Sequence, residues 1–547
     1  MALSTRRAVP GSDASQAASP GSWLMLAVLL LGQFMCIIDV LVTNVAMPSI
    51  AASLHASGAS LQLVVGGYTI AYAMLLITGA RLGDRYGRRR TYLAGVLVFT
   101  AASLACALAP DSQALIAFRL VQGAGAAVLV PQVFSIIQLT FAGPARARAL
   151  SAYAAVLSAG AVAGLVLGGV VVNANLFGTG WRPVFAINVP IGIMLALAVP
   201  RLVPPDQPAG QPADHPAGQP AGHVAGQPDA AAPRRLDLGG VVPSRRLDLA
   251  GLAAAAGSVL LIVLPLVLGR EAGWPAWCVA CIAAGLILAA CFVLIERRVA
   301  GRGGDPLLNL AVLRAPALPS GLVTLAATQV GYGGLLFAFT LHLQEGLGES
   351  ALRAGVSYLP MALVFGLTGY HWRRLPAALR RAVIPAGLAT CTAAYLALAA
   401  GLHAGTGALT WTGMAGVGLG LGLSVSPLLT RSLTHVPAAR AADASGLLTT
   451  TVQLAQLLGV TAIGSVYLSR ASGPAVVSGS AAATRVATTG PAVVIRAAAS
   501  AGAMSATACW LAVLSAVGLL TAVIMTRAAR RTTSSTQAQA TRRIPSP

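Results

Sequence analysis

The sequence predicts an all-α polytopic membrane protein, and three observations support that class. Hydrophobic residues make up 56% of the 547 and charged residues only 9%, whereas soluble domains carry roughly 25% charged residues. Apolar segments of about 20 residues, the length that crosses a bilayer, recur along most of the chain. The basic residues are all arginine and cluster in alternate connections between these segments, as is typical of cytoplasmic loops.

The net charge of +21 therefore reflects membrane topology, with attraction to anionic membrane lipid as a by-product. We expect no nucleic-acid partner for this chain.

Fourteen apolar segments qualify as spans. They are predicted at residues 22–46, 60–80, 91–109, 113–139, 149–173, 183–200, 249–268, 275–295, 318–341, 353–371, 383–402, 408–429, 445–468 and 499–526. An even number of spans places both the N-terminal tail at 1–21 and the C-terminal tail at 527–547 in the cytoplasm, and we expect the protein in the plasma membrane.

The spans group into predicted units. The first six occupy 22–200, an additional pair occupies 248–296, and the last six occupy 318–526, which includes an outer loop at 469–498; a cytoplasmic connection at 297–317 precedes the last six. The connection at 201–247 carries a degenerate repeat of the Gln-Pro-Ala-Gly type. A segment with so few apolar residues cannot form a core, so we predict that it is disordered and cytoplasmic.

The sequence contains no strong motif for catalysis or for binding a metal or a cofactor. Cys278 and Cys281 form a single CxxC at the start of a span, without a second pair or a nearby histidine, which favours two small apolar side chains over a metal or redox site. No phosphate-binding GK[ST] loop, HExxH helix or nucleophile elbow occurs in the aqueous segments. We therefore predict no metal, no cofactor and no enzymatic activity.

Residues 79–95 form a predicted short connection between the second and third spans, with five arginines and one acid. Asp84 can pair with a neighbouring arginine or face a helix N-terminus, while Gly83 and Gly87 allow close backbone approach. Charge alone leaves two interpretations open, a topological anchor and a latch at a cytoplasmic gate. The candidate latch residues are Leu82, Gly83, Asp84, Arg85, Gly87, Arg88 and Arg89.

Two ionisable residues lie inside predicted spans, where charge is costly and suggests function. Asp39 lies in the first span and Arg119 early in the fourth. A carboxylate with little access to water binds a proton more readily than one in solution, so Asp39 is the predicted proton site. Topology places both residues in the outer half of the membrane, where Arg119 can meet or tune Asp39. The alternative is a static buried ion pair that holds two helices together.

Further candidates are small or polar. Gly160, Gly164, Gly168 and Gly169 form a glycine stripe on the fifth span, which favours close helix packing. Polar residues sufficient to line a pathway are also present in or at the ends of spans. The candidates for the substrate pathway are Gln33, Asn44, Gln122, Gln132, Gln329, His342 and Glu345; Glu345 at the outer end of the ninth span can also be simply interfacial.

These motifs resemble those of the major facilitator superfamily. The order Leu82-Gly83-Asp84-Arg85 followed by Gly87-Arg88-Arg89 is similar to the signature loop of that superfamily, with Ala80 where a glycine is expected. Fourteen spans narrow the resemblance to the EmrB/QacA-type drug:proton antiporters. Further similarities to that group lie at Asp39 to Pro48, at Arg119 to Gly125 and at Trp181 to Gly192, and later landmarks occur at 248–251, 273–275 and 343–348.

The fifth span departs from the antiporter pattern at one position. Its four motif glycines match, but Leu165 replaces the proline that follows the second of them in the antiporter motif. In that family the proline is associated with exchange rather than uniport, so Leu165 puts strict antiport in question.

The resemblance implies two six-helix bundles with two extra central helices, each bundle built from inverted repeats, and a substrate site near the membrane midplane. It implies proton-driven export of hydrophobic drugs or secondary metabolites. External protons would load Asp39, Arg119 would modulate its protonation, and Asp84 with its arginines would lock the cytoplasmic side. The expected partners are a small hydrophobic substrate, protons and membrane lipid, and the expected state is a monomer.

Two other functions remain open at this point. A proton-coupled or uniport importer of a small solute would need more polar groups in its spans than this chain has. A transport-inactive membrane scaffold or receptor would find slight support in the repeat-containing cytoplasmic loop.

Overall fold

The computed structural model describes residues 20–141, 143–205, 249–269, 272–302, 310–315, 317–401, 407–433, 436, 441–471 and 490–541. The repeat-containing loop, the N-terminal tail and most of the outer loop predicted at 469–498 lie outside these residues. The regular structure of the described residues is helical, and 14 of their helical segments are long and apolar enough to span a membrane. The predicted fold class and number of spans are therefore confirmed.

The α-helices are numbered in chain order. They are α1 (Pro20–Leu54), α2 (Gly58–Tyr86), α3 (Arg88–Ala107), α4 (Ser112–Thr140), α5 (Gly143–Ala174), α6 (Pro183–Ala186), α7 (Asn188–Leu202), α8 (Leu249–Leu268), α9 (Ala276–Gly301), α10 (Leu318–Leu341), α11 (Ala351–Ser357), α12 (Leu359–His371), α13 (Ala377–Gly401), α14 (Ala408–Leu433), α15 (Ala441–Leu458), α16 (Gly464–Ala471) and α17 (Gly490–Thr541). Short 3₁₀ turns occupy Leu176–Gly178, Leu310–Arg314 and Trp372–Arg374, and π-helical turns occupy His342–Gly346 and Gly459–Ile463.

Three spans consist of more than one helix. The sixth joins α6 to α7, the tenth joins α11 to α12, and the thirteenth joins α15 to α16 through a π-helical turn. Proline at the second position of α12 fits the break in the tenth span, because proline is tolerated in the first turn of a helix.

Two boundaries differ from the prediction. Residues 79–95 are almost entirely helical: α2 continues to Tyr86, α3 begins at Arg88, and only Gly87 separates them. Gly87 has φ +92°, a conformation that a residue with a Cβ rarely adopts. The first span is also longer than predicted, because α1 continues to Leu54 with Pro48 inside it. Membrane helices tolerate an internal proline when neighbouring groups satisfy the freed backbone carbonyl.

The spans pack as two bundles with an additional pair beside them. In the first bundle, α4 packs on α2 and α3, and α1 packs on α5 and α7. In the second, α14 packs on α12 and α13, and α17 packs on α10 and α13. The additional helices α8 and α9 pack on each other, and α8 also contacts α2. This arrangement places α1 and α10, the first helices of the two bundles, at the boundary between them.

The two ends of the bundles differ in charge. We call the end that contains Arg88, Arg201 and Arg431 the arginine-rich end, and the opposite end the arginine-poor end. The bundles meet near the arginine-poor end: Gln344 Nε2 donates to the carbonyl of Val45 (2.9 Å), and Gln62 Nε2 donates to Ser465 Oγ (3.2 Å). These contacts close the arginine-poor end.

Candidate functional site

A buried ionic network lies within the first bundle. Asp39 and Arg119 form an ion pair, with the side chains 0% and 1% exposed. The other carboxylate oxygen of Asp39 accepts hydrogen bonds from Gln122 Nε2 (2.7 Å) and Asn188 Nδ2 (2.8 Å). The structure therefore brings Asp39 and Arg119 together, and three helices (α1, α4 and α7) contribute to one site.

Arg119 is held from several directions. Its Nε donates to the carbonyl of Val64 (3.0 Å) and its Nη1 donates to Gln122 Oε1 (2.6 Å). The guanidinium carbon lies 4.6 Å from the ring centroid of Tyr68 and 5.6 Å from that of Phe185. Cation–π contacts of this kind are stronger where the cation has lost its water, so the aromatic rings help to keep the charge inside the bundle.

Local helix structure positions the partners of Asp39. Arg119 and Gln122 are three residues apart on α4, so they lie on the same face of the helix. Asn188 begins α7 directly after the interruption at Ile187 that separates α7 from α6. Gln122 Nε2 also donates to Ser103 Oγ on α3 (2.8 Å). The Gln122 amide is therefore held by Arg119 on its own helix and by Ser103 on a neighbouring one.

Sequence reasoning did not identify Asn188, Tyr68 or Ser103 as site residues. Asn188 carried a signal, because it is an amide inside an apolar span and belongs to a segment that resembles a family motif. Tyr68 and Ser103 carried none, since tyrosine and serine are common in packed membrane helices and only the three-dimensional packing brings them to Arg119 and Gln122.

The hydrogen bonds of the network depend on the charge of Asp39. As an ion pair, Asp39 and Arg119 carry no net charge, and the carboxylate accepts hydrogen bonds on both oxygens. Protonation of Asp39 would weaken its attraction for Arg119 and the amides, because a neutral carboxyl is a weaker acceptor than a carboxylate. The same geometry fits a static pair that joins α1 to α4, and the distinction depends on whether the pair opens.

The latch residues contact the first bundle. Asp84 Oδ1 near the end of α2 lies 2.8 Å from Nη2 of Arg88, the first residue of α3, with side chains 52% and 28% exposed. Arg89 Nη2 donates to the carbonyl of Pro200 at the end of α7 (2.8 Å). Gly83 faces the side-chain amide of Gln132 so closely that a Cβ would collide with it, which ties the latch to α4. Leu82 and Arg85 lie in the same last turns of α2.

The glycine stripe of α5 faces two different partners. A Cβ on Gly160, Gly164 or Gly168 would press on α1, the last of these against the Cα of Val42 (3.0 Å). Gly169 instead lies against the backbone of Ala351 at the start of α11 in the second bundle. The stripe therefore both packs the first bundle and forms part of the closed contact at the arginine-poor end.

Leu165, which stands in place of the motif proline, lies at this bundle contact. Its side chain is 2% exposed and packs in the core cluster dominated by the second bundle. Its carbonyl oxygen is so close to Gly355 of α11 that a Cβ there would collide with it. Gly355, which the sequence did not single out, thus faces α5 across the contact just as Gly169 faces α11.

The remaining candidate polar residues occupy different places. Gln132 Nε2 donates to the carbonyl of Gly79 (2.8 Å), so this side chain joins α2 to α4. Asn44 Nδ2 donates to the carbonyl of Val40 within α1 (2.8 Å). Gln33 and Gln329 are buried in α1 and α10. His342 and Glu345 lie on the π-helical turn at the arginine-poor end. This turn belongs to the second bundle, whereas the Asp39 network lies in the first.

Comparisons with known proteins agree with this architecture. The family model described as Major Facilitator Superfamily matches residues 29–460. A probable actinorhodin transporter of Streptomyces coelicolor is 34% identical over 84% of this chain and 75% of its own length. A puromycin resistance protein of Streptomyces alboniger is 30% identical over 83% of this chain and 84% of its own length.

A solved structure shows the same fold. It is a bacterial homologue of the human lysosomal transporter Spinster in an inward-facing, unoccupied conformation. The two chains superpose with a TM-score of 0.64 at 19% identity, over 94% of this chain and 98% of that one. At this identity the likeness concerns the fold alone.

Proposed function

This chain belongs to the major facilitator superfamily and is a multi-pass membrane transporter rather than an enzyme, and we propose that proton antiport drives its export of hydrophobic drugs or secondary metabolites. Its relatives include a probable actinorhodin transporter and a puromycin resistance protein, which supports export of compounds of that class. The observation that supports the proposed proton coupling is the buried Asp39–Arg119 pair, whose carboxylate also accepts hydrogen bonds from two amides.

The membrane orientation follows from the arginines. We propose that the arginine-rich end and both termini face the cytoplasm of a plasma membrane, because short basic connections resist translocation. The contacts between the bundles at the arginine-poor end then lie on the outer side, and we propose that this conformation is the inward-facing one. Each chain contains both bundles, so the proposed transporting unit is a monomer surrounded by membrane lipid.

Proton exchange at Asp39 would drive the cycle. When the bundles rock and the outer side opens, an external proton binds the carboxylate, and its hold on Arg119 and on the amides of Gln122 and Asn188 weakens. Return to the inward-facing form restores the buried Asp39–Arg119 pair described above, and the proton is released to the cytoplasm as that ion pair reforms. Substrate moves outward while the proton moves inward, since each state favours one of the two ligands.

The latch would act in the outward-facing state. In the conformation described above, Asp84 pairs with Arg88 across the break at Gly87 and remains half exposed. Such a pair contributes little stability, so Asp84 is available to bind the opposite bundle when the cytoplasmic side closes. Gly83 and Gly87 would let this short turn approach the second bundle closely.

The substrate pathway would run between the bundles. Gln33, Asn44 and Gln329 are buried polar residues of α1 and α10, the two helices at the boundary. Among the described residues of α1 and α10, Asp39 is the one buried charged side chain, which favours a hydrophobic substrate with a small number of hydrogen-bonding groups. His342 and Glu345 would lie at the outer exit.

The test is transport of the dye Nile red into everted membrane vesicles under an imposed pH gradient. Asp39→Asn should reduce gradient-driven uptake to the background of vesicles that lack the protein. The matched control is Asp111→Asn, because Asp111 caps α4 through the amide of Ala114 (2.8 Å) and asparagine caps equally well. Uptake by Asp39→Asn that still follows the pH gradient would place proton coupling elsewhere.

A further inference from the structure

A second polar network lies in the second bundle, away from Asp39. Nδ1 of His342 is 2.8 Å from Ser500 Oγ, which in turn lies 2.9 Å from the hydroxyl of Tyr467. The His342 side chain is completely buried, and its Nε2 has no hydrogen-bond partner among the described residues. A buried polar atom without a partner is unfavourable, so Nε2 calls for a functional explanation.

The backbone around His342 allows the close contact between its imidazole and Ser500. His342 begins the π-helical turn that ends at Gly346, and such turns are frequent at functional sites. A Cβ at Gly346 would collide with Ser500 Oγ, so glycine is what lets α17 bring Ser500 to the imidazole. The histidine is therefore held by one ring nitrogen while the other remains without a protein partner.

The same turn carries the contact between the bundles. Gln344, two residues after His342, donates through Nε2 to the carbonyl of Val45 in α1 (2.9 Å). The chain then continues into α11, where Ala351 and Leu352 lie against Gly169 of α5. A change in the position of the π-helical turn would therefore move the groups that close the arginine-poor end.

We infer that Nε2 of His342 is a proton-binding site whose occupation opens this contact between the bundles. Neutral imidazole fits the closed form, because only Nδ1 is hydrogen-bonded. Imidazolium has two N–H donors and a full charge, and in the closed form its second N–H would be buried without an acceptor among the described residues. Protonation thus favours the form in which water reaches Nε2, which is the form open at this end.

The other ionisable groups near this network are identified by the packing. Glu345 lies on the same π-helical turn, Arg496 near the start of α17, and Tyr467 on α16. Glu345 and Arg496 carry opposite charges and interact with each other. Their fields at the imidazole therefore oppose one another, and loss of water remains the main reason why the closed form disfavours the imidazolium.

The inference rests on the proposed function only for the statement that this end faces outward. A proton that binds His342 from outside and leaves to the outside is not transported. Acid outside would therefore hold the carrier in its outward-open form without changing the number of protons exchanged per substrate.

Hydrogen–deuterium exchange of peptides from residues 343–358 tests the inference without any transport substrate. Purified wild-type protein in lipid nanodiscs should exchange faster at pH 5.5 than at pH 7.5 after correction for intrinsic rates. If the imidazole stays neutral in the closed form and has its ordinary pKa of about 6.5 in the open form, the open population, and with it the exchange rate, should rise about tenfold between these two pH values. His342→Gln should remove this shift, and His342→Arg should give fast exchange at both pH values.

His55→Asn is the matched control, because His55 is exposed at the same end with φ +50°, a conformation that asparagine tolerates. A wild-type pH response in His342→Gln would overturn the inference. If glutamine disturbs the packing, Ser500→Ala decides instead: it keeps the imidazole but removes the Nδ1 partner, so the midpoint of the response should move, and an unchanged midpoint would overturn the proposal. Asp39→Asn should retain the response, which separates this result from the test of proton coupling.

Discussion

The two bundles each contain a buried polar network between their first and last spans, but the networks differ in charge. In the first bundle Asp39 of α1 binds Asn188 of α7, and the pair with Arg119 places two opposite charges out of water. In the second, His342 binds Ser500 of α17, and its other ring nitrogen has no partner within the part of the chain that the structure describes. The first network therefore holds two charges that depend on each other, whereas the second holds a neutral imidazole that is fixed through one of its two nitrogens.

Removal of the Arg119 charge should have the largest effect on stability among the variants considered. Arg119→Gln leaves the Asp39 carboxylate buried without its counter-ion, and breaking a buried pair in this way costs about 3–5 kcal/mol. We expect a large fall in the thermal unfolding midpoint of the purified protein in detergent. Ser500→Ala, which removes only a neutral hydrogen bond from the second network, should lower it much less.

The double variant Asp39→Asn with Arg119→Gln separates charge from packing. It removes both charges together, so it should recover much of the stability lost in Arg119→Gln. Equal losses in the single and double variants would contradict the view that the unpaired carboxylate causes the destabilisation, and would favour the packing of Arg119 against Tyr68 and Phe185.

The contact between the two bundles can be weakened without changing a residue of either polar network. Gly355→Ala would place a Cβ against the carbonyl of Leu165, and overpacking of this kind costs about 1–3 kcal/mol. The cost applies to the form closed at the arginine-poor end, so hydrogen exchange in residues 343–358 should increase. Gly502→Ala is the control, since its Cβ would meet no neighbour within 4 Å; similar exchange in the two variants would show that Gly355 does not control closure.

The smallest expected effect on stability concerns the latch at the opposite end. Asp84→Asn removes a largely exposed pair with Arg88, across the break at Gly87, and exposed pairs of this kind are worth about 0.2–1 kcal/mol. We expect an unfolding midpoint close to that of the wild type but slower Nile red uptake by everted vesicles, because Asp84 would act in the other conformation. Unchanged transport would favour the simpler interpretation of residues 79–95 as a topological anchor.

The fold could be predicted from the sequence because the apolar composition of each span shows that it lies in the membrane. About 20 apolar residues can satisfy their backbone groups in a bilayer only as a helix, so the number of spans followed directly from local composition. Asp39 and Arg119 were detectable for a similar reason, since an ionisable residue in an apolar span is conspicuous. The latch was identified as a motif, but its helical structure was not, because glycine and arginine are also common in loops.

Other features depended on which helices come together. Gly355 was one glycine among many until its contact with Leu165 was known, and Ser500 was one serine among many until it lay beside His342. Neither residue has an unusual local sequence, and their importance comes from neighbours more than 150 positions away in the chain. The division of the glycine stripe between α1 and α11 has the same origin.

The sequence by itself thus determined the membrane-spanning helices and their number. It also identified Asp39 and Arg119, because an ionisable residue inside an apolar span is costly. These depend on the transfer of side chains and backbone between water and lipid, which acts on each segment separately. Only the tertiary structure decided which polar groups pair, which atom of His342 lacks a partner and which end of the bundles is closed. Those outcomes depend on hydrogen bonds and contacts of a few ångströms between distant segments, and no local pattern specifies them.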